Sequence, residues 1–229
     1  MSSPDKKLRT GLAVLVSCLL GSGLTRTAQA IELDFSNLSE TDVAFSGGQF
    51  SFSSVGGSDP YQFQINSVEN GGDGDSVTDL GYVSPGGPFT IGTISPNGSG
   101  GQMAAVTGNG VLHITDANNV DLTGNLVWEN INTQGIGGIL NLTGLVNLTG
   151  ITYSGTGVDL GTLANGGSAS DIVTFQFEPA MTLQQLASAT NATTSYSGSI
   201  TNSSTTVPEP ASLGLLALGG LSLLRRRGR

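Results

Sequence analysis

The most regular feature of this chain is alternation of apolar and polar positions over short stretches. Gln49–Val55 and Tyr61–Val68 alternate throughout, and Asp171–Phe177 does so over its second half. A period of two places one face of a strand on a core and the other in water. Phe89–Ile94, Val111–Thr115, Leu122–Trp128, Ile139–Tyr153 (with an internal break) and Thr193–Thr201 are further strand candidates. Clusters of Gly, Asn, Asp, Ser and Pro at 56–60, 70–74, 84–88, 95–101 and 165–167 separate them and read as turns. Many short strands between turn signals predict an all-β fold, a β-sandwich or jelly-roll-like domain. One short helix stands out, where Thr182-Leu-Gln-Gln185 reads as a capping box opening Leu183–Ala189. Leu-Thr-Gly recurs at 122–124, 142–144 and 148–150. That echo leaves a β-solenoid as the alternative, although a solenoid needs a steady period over at least three repeats.

The two ends depart from this pattern. Residues 6–9 (Lys-Lys-Leu-Arg) precede a short apolar run, Leu12–Leu20, and Ala28-Gln29-Ala30 fits a small-x-small cleavage site. Residues 1–30 therefore read as a secretory signal peptide, cut by signal peptidase after Ala30, because the run is too short to span a bilayer. Leu15-Val16-Ser17-Cys18 offers a competing lipobox-like site. Cleavage at Ala30 would leave the mature chain without cysteine, and so without a disulfide or thiol site. At the other end, Val207-Pro208-Glu209-Pro210 precedes an uncharged apolar stretch, Ala211–Leu224, and then Arg225-Arg226-Arg227. The prolines stop an incoming helix. Fourteen residues reach about 21 Å at 1.5 Å each, short of a hydrocarbon core of about 30 Å. The arginines should stay on the cytoplasmic side, so the tail would be held only transiently in the inner membrane. Between these ends, residues 31–200 are the β-rich domain. Residues 201–206 read as a Ser/Thr-rich linker and 207–229 as a sorting segment.

Pro208-Glu209-Pro210, the apolar stretch and the terminal arginines resemble the PEP-CTERM sorting signal of bacteria. The resemblance covers residues 207–229 only. It implies export across the inner membrane and cutting near Pro-Glu-Pro by exosortase, a membrane transpeptidase-like enzyme. It also implies delivery to the cell surface or extracellular matrix in an exopolysaccharide or biofilm setting, with extracellular polysaccharide as a partner.

Charge sharpens the division. All eight Lys and Arg lie in the first 30 or last five residues, while Ile31–Val207 holds none and carries fifteen of the seventeen acids. The whole-chain charge of −9 thus averages two basic ends with a middle of −15. An anionic middle excludes nucleic acid as a partner. It also excludes Schiff-base chemistry and phosphate clamps, which need Lys or Arg. Its carboxylates must rest on backbone N–H groups, water or bound cations.

Few residues suggest chemistry. His113 is the only histidine and sits in a strand candidate, where an ordinary structural role is expected. No Gly-x-Ser-x-Gly elbow is present. Trp128-Glu129 pairs an aromatic ring with an acid, but a core tryptophan at a strand is the plainer reading. The loop Asn70–Asp79 offers Asp73, Asp75 and Asp79 as hard-oxygen ligands for Ca²⁺, the one cofactor to consider. It departs from the EF-hand template, since Val77 stands at a ligand position. Six Asn-x-Ser/Thr triplets follow from composition alone. The expectation is a non-enzymatic structural or adhesive surface protein. The alternatives are a carbohydrate-binding or calcium-dependent adhesin module, and a secreted glycoside-acting enzyme, which needs only two carboxylates.

Overall fold

A computed structural model describes residues 30–202, apart from Gly57 and residues 136–139. The signal-peptide segment up to Gln29 and the sorting segment 207–229 lie outside the described residues. Thirteen strands and two short helices follow in order: β1 (Glu32–Asn37), β2 (Val43–Ser46), β3 (Gln49–Phe52), β4 (Phe63–Glu69), β5 (Leu80–Ser84), β6 (Phe89–Ile91), β7 (Ser95–Pro96), β8 (Gln102–Thr107), β9 (Gly110–Thr115), β10 (Asp121–Gln134), β11 (Leu140–Thr152), α1 (Val158–Asn165), β12 (Ser168–Gln176), α2 (Leu183–Ser188) and β13 (Ala192–Asn202). The all-β expectation holds, and every strand pairing is antiparallel. That pattern rules out the solenoid alternative, whose stacked repeats would pair in parallel. Two of the Leu-Thr-Gly triplets lie on one strand, β11, where Leu142 and Leu148 are both buried. The echo is ordinary alternation. The break expected inside Ile139–Tyr153 is absent, because β11 runs unbroken from Leu140 to Thr152.

The connectivity closes on itself twice. β1-β4-β5-β9-β10-β11-β12-β13 form one eight-stranded ring, because β13 pairs back onto β1. β10-β11-β12-β13-β2-β3-β6-β8 form a second, because β8 pairs onto β10. The rings share β10–β13. The first half of β10 (Asp121–Leu126) pairs with β9, and Asn130–Asn132 pair with β8. A bulge between Trp128 and Asn130 marks the handover, where an extra residue bends a strand and raises its twist. On β13, Ser197–Thr201 pair with β1 and Ala192–Thr194 with β2. At that handover the Tyr196 N–H would lack a ladder partner, and the Asn37 Oδ1 accepts it at 3.2 Å.

The sheets face each other across an aromatic core. Phe50 of β3 meets Trp128 of β10 at 5.1 Å between ring centroids, and Phe45 of β2 meets Phe175 of β12 at 5.5 Å. Phe52 meets Tyr196 at 5.0 Å. Aromatic pairs at such spacings add about 0.5–1.5 kcal/mol beyond their buried area. Inside the first ring, large rings sit on glycines of the neighbouring strand. Phe63 is paired with Gly81 and Phe35 with Gly198, while Trp128 lies over Gly144. A Cβ at any of the three would come within 2.6 Å of the ring above it, so only glycine leaves room.

Helix α2 begins as expected, with Thr182 accepting from the Gln185 N–H and the Gln185 side chain accepting from the Thr182 N–H. Helix α1 was not expected. It buries Leu160 and Leu163, one turn apart, and ends at Gly166-Gly167, with Gly167 at φ +68°. The strand β13 also runs two residues beyond the expected linker boundary, because Asn202 is buried and its Nδ2 donates to the carbonyls of Thr162 and Leu163 in α1. Thr201 and Asn202 thus belong to the domain. Among the described residues no helix is long and apolar enough to cross a membrane.

Two glycine substitutions separate close packing from helix propensity. In Gly198→Ala the new methyl would stand 2.2 Å from the Ile172 carbonyl oxygen and 2.5 Å from the Phe35 ring, and overpacking of this kind costs about 1–3 kcal/mol. In Gly161→Ala, inside α1, nothing lies within 4 Å, and the change should gain about 0.5–1 kcal/mol. Denaturant melts of the two variants should therefore shift in opposite directions.

Candidate functional site: an acidic loop against a helix end

The loop between β4 and β5 carries Asp73, Asp75 and Asp79, and the structure divides them. One carboxylate oxygen from each of Asp73, Asp75 and Asp159 lies within 4.8 Å of the others. Asp159 is the second residue of α1 and is buried. Asp79 is not in that group. It is itself buried, and its carboxyl is pushed up to about 6 by burial first and then by the charges of Asp116 and Asp75.

The loop and the helix hold each other reciprocally. The N-cap of α1 is Gly157, which has no side chain with which to cap. Asp75 supplies the cap from the other side of the chain, its Oδ2 accepting the Val158 N–H at 2.7 Å and its Oδ1 the Asp159 N–H at 3.2 Å. Asp159 answers by accepting the Gly72 N–H at 2.6 Å and the Ser76 N–H at 3.4 Å. Asp73 Oδ1 accepts the Asp75 N–H at 3.3 Å. A carboxylate at a helix N-terminus satisfies orphan N–H groups and meets the positive end of the helix dipole. Gly72 is required for this approach, since a Cβ there would stand 2.1 Å from the Val158 side chain.

A second layer braces the first. The Tyr153 hydroxyl accepts the Gly157 N–H at 2.9 Å and donates to Asp116 Oδ2 at 2.6 Å. Asp116 Oδ1 accepts the N–H groups of Asn118 and Val120, each at 2.8 Å, and so shapes the β9–β10 turn. Burial works to raise the Asp116 carboxyl, but those hydrogen bonds outweigh it and hold it below the usual carboxylate range. The Tyr153 hydroxyl is pushed up to about 12, by burial and by its bond to Asp116.

Asp73, Asp75 and Asp159 are the residues that could hold a hard cation, each offering one oxygen. Each oxygen of Asp75 and Asp159 already accepts one backbone N–H, so an ion there would share those oxygens with the cap. Asp159 escaped the sequence reading. Its signal was Gly157-Val-Asp159-Leu-Gly-Thr-Leu163 followed by Asn165-Gly-Gly, an early acid and an apolar pair one turn apart, closed by glycines.

The other candidates fall elsewhere. His113 stands on β9 with its ring parallel to that of Tyr82 at 4.3 Å, and its Nδ1 is 3.3 Å from Asp121 Oδ2. Asp121 also accepts from Thr115. Trp128 is in the core, and Glu129 accepts a hydrogen bond from Asn147. Ala30 is the first described residue and precedes buried Ile31. Ala28, Pro208, Glu209, Pro210, Arg225, Arg226 and Arg227 lie outside the described residues, as does Cys18.

Comparison with known families adds one match. Residues 206–229 fit the PEP-CTERM protein-sorting motif, as the tail's resemblance implied. The motif marks the chain for export and surface sorting, with exosortase as the processing partner. No curated protein and no solved structure matches the chain.

The cap predicts a modest, metal-independent effect. Asp75→Ala should lower unfolding free energy by about 1 kcal/mol, by the same amount with Ca²⁺ or with chelator. Calorimetry and melts with added Ca²⁺ check this. A calcium-induced rise in Tm that disappears in Asp73→Asn would make the cluster a metal centre instead.

Proposed function

We propose that this protein is a bacterial cell-surface or extracellular-matrix component with a structural or adhesive role among exopolysaccharides. Signal peptidase removes residues 1–30, and exosortase removes the tail near Pro208-Glu209-Pro210 after the apolar segment has paused in the inner membrane. The observation that carries this reading is the sorting motif at 206–229, just downstream of a domain with no Lys or Arg. The domain's −15 charge favours solubility and repels like-charged neighbours, which suits a spaced component of a hydrated matrix.

The reading is non-enzymatic. Several of the domain's aspartates are engaged as structural acceptors. Asp75 and Asp159 hold a helix, Asp116 holds a turn, and Asp34 accepts from Ser67 across β1 and β4.

The processing claim has a direct check by mass spectrometry of the extracellular form. The mature protein should begin at Ile31 and end near Pro210, without the arginine cluster. An extracellular form ending at an intact Arg229 would contradict it.

A further inference from the structure

One acid of the core has no visible reason to be where it is. Asp171 lies on β12 between Val146 of β11 and Ile200 of β13. It is 4% exposed, and its Oδ1 has no hydrogen-bond partner. The Trp128 Nε1–H, also buried, likewise has no partner. Both side chains line one cavity of about 20 Å³ inside the first ring. A buried acceptor and a buried donor left unpaired each cost about 1–3 kcal/mol, and native structures seldom carry such groups without an ordered water. A cavity of 20 Å³ exceeds the 10–15 Å³ or so that a single water needs, and it is too small for a larger guest.

We propose that this cavity binds one water molecule, which accepts the Trp128 N–H and donates to Asp171, and that Asp171 occupies the ring as the neutral acid, so that the ring is a proton-dependent element that loosens when Asp171 ionises. Among the described residues no Lys or Arg is present to pair with the carboxylate. The walls from β1, β4, β5 and β9 present Phe35, Phe63, Val83 and Leu112, none ionisable. β3 contributes Phe52 and β10 contributes Trp128 and Leu126, while β11 places Val146 beside the acid. The one titratable neighbour is Tyr196 of β13, whose hydroxyl donates to the Gln62 carbonyl at 3.0 Å. Burial first, and then the Asp171 charge, push that hydroxyl upward, so it offers no positive partner.

Burial pushes the Asp171 carboxyl up to about 8, against about 3.9 for Asp in an unfolded chain. Between those values the folded state holds a proton that the unfolded state releases. The Asp171 contribution to stability is therefore highest below about pH 4, declines as pH rises towards 8, and levels off above it.

Trp128 is the only tryptophan, so the exported protein reports on this site through its own fluorescence. Titrated from pH 6 to 10 while folded, Trp128 emission should change with a midpoint near 8. In Asp171→Asn that transition should vanish, and Tm should fall less between pH 6 and 9 than in the wild type. NMR of the wild-type protein gives a readout that does not depend on the variant folding. The Trp128 indole N–H should shift with the same midpoint and show magnetisation exchange with one bound water at pH 6. A flat indole signal across this range, or a transition unchanged in Asp171→Asn, would overturn the proton dependence. An indole N–H with no water contact would overturn the bound water.

Discussion

Two strands that change partners midway hold this domain together. β10 gives one half of its length to β9 and the other to β8, and β13 divides itself likewise between β1 and β2. A sheet that ends at a free edge leaves a row of unpaired N–H and C=O groups, open to pairing with another chain. Here β10 and β13, where the central sheet would end, are used on both sides, and closure removes those edges. The devices at the two handovers are local. A bulge near Glu129 redirects β10, and the Asn37 side chain takes the one N–H that β13 would leave unpaired. Closure also fixes what fits inside. A narrow ring of eight strands filled with aromatic side chains needs a small residue beneath each ring, which Gly81, Gly144 and Gly198 provide.

The second constraint is the absence of positive charge. Without Lys or Arg between Ile31 and Val207, every carboxylate must find a neutral donor, as Asp75, Asp116 and Asp159 do through backbone N–H groups and Asp121 through Thr115. Where donors are lacking, protonation takes over, as at Asp171 in the core. The same features made the acidic loop read as a calcium loop. Glycines that let backbone N–H groups converge on carboxylates suit a helix cap as well as a metal ion.

Much of this was legible in the residues. The strands with clear alternation, such as Gln49–Phe52 and Phe63–Ile65, stand where the pattern put them, and the Thr182–Gln185 capping box forms as written. Ring closure was not legible, because it depends on two strands changing partners midway, and a period of two says only that a strand has an inside. Helix α1 was hidden by the Gly155–Gly157 and Gly166-Gly167 runs around it, which read as loop. In the candidate site the sequence offered Asp73, Asp75 and Asp79, of which the structure keeps the first two together, but Asp159 lies more than eighty positions away in sequence. Only the topology brings β4–β5 against the start of α1. The sorting segment was legible in full, because its order of motif, apolar run and arginines carries the meaning without any tertiary context.

If the shared strands bind both rings into one structure, the rings should open together. Native-state hydrogen exchange read residue by residue tests this most directly. The slowest amides should lie in β10–β13, and those of β4, β5 and β9 should report the same global opening free energy as those of β3, β6 and β8. One ring exchanging through its own, much cheaper opening while the other stays protected would contradict the account.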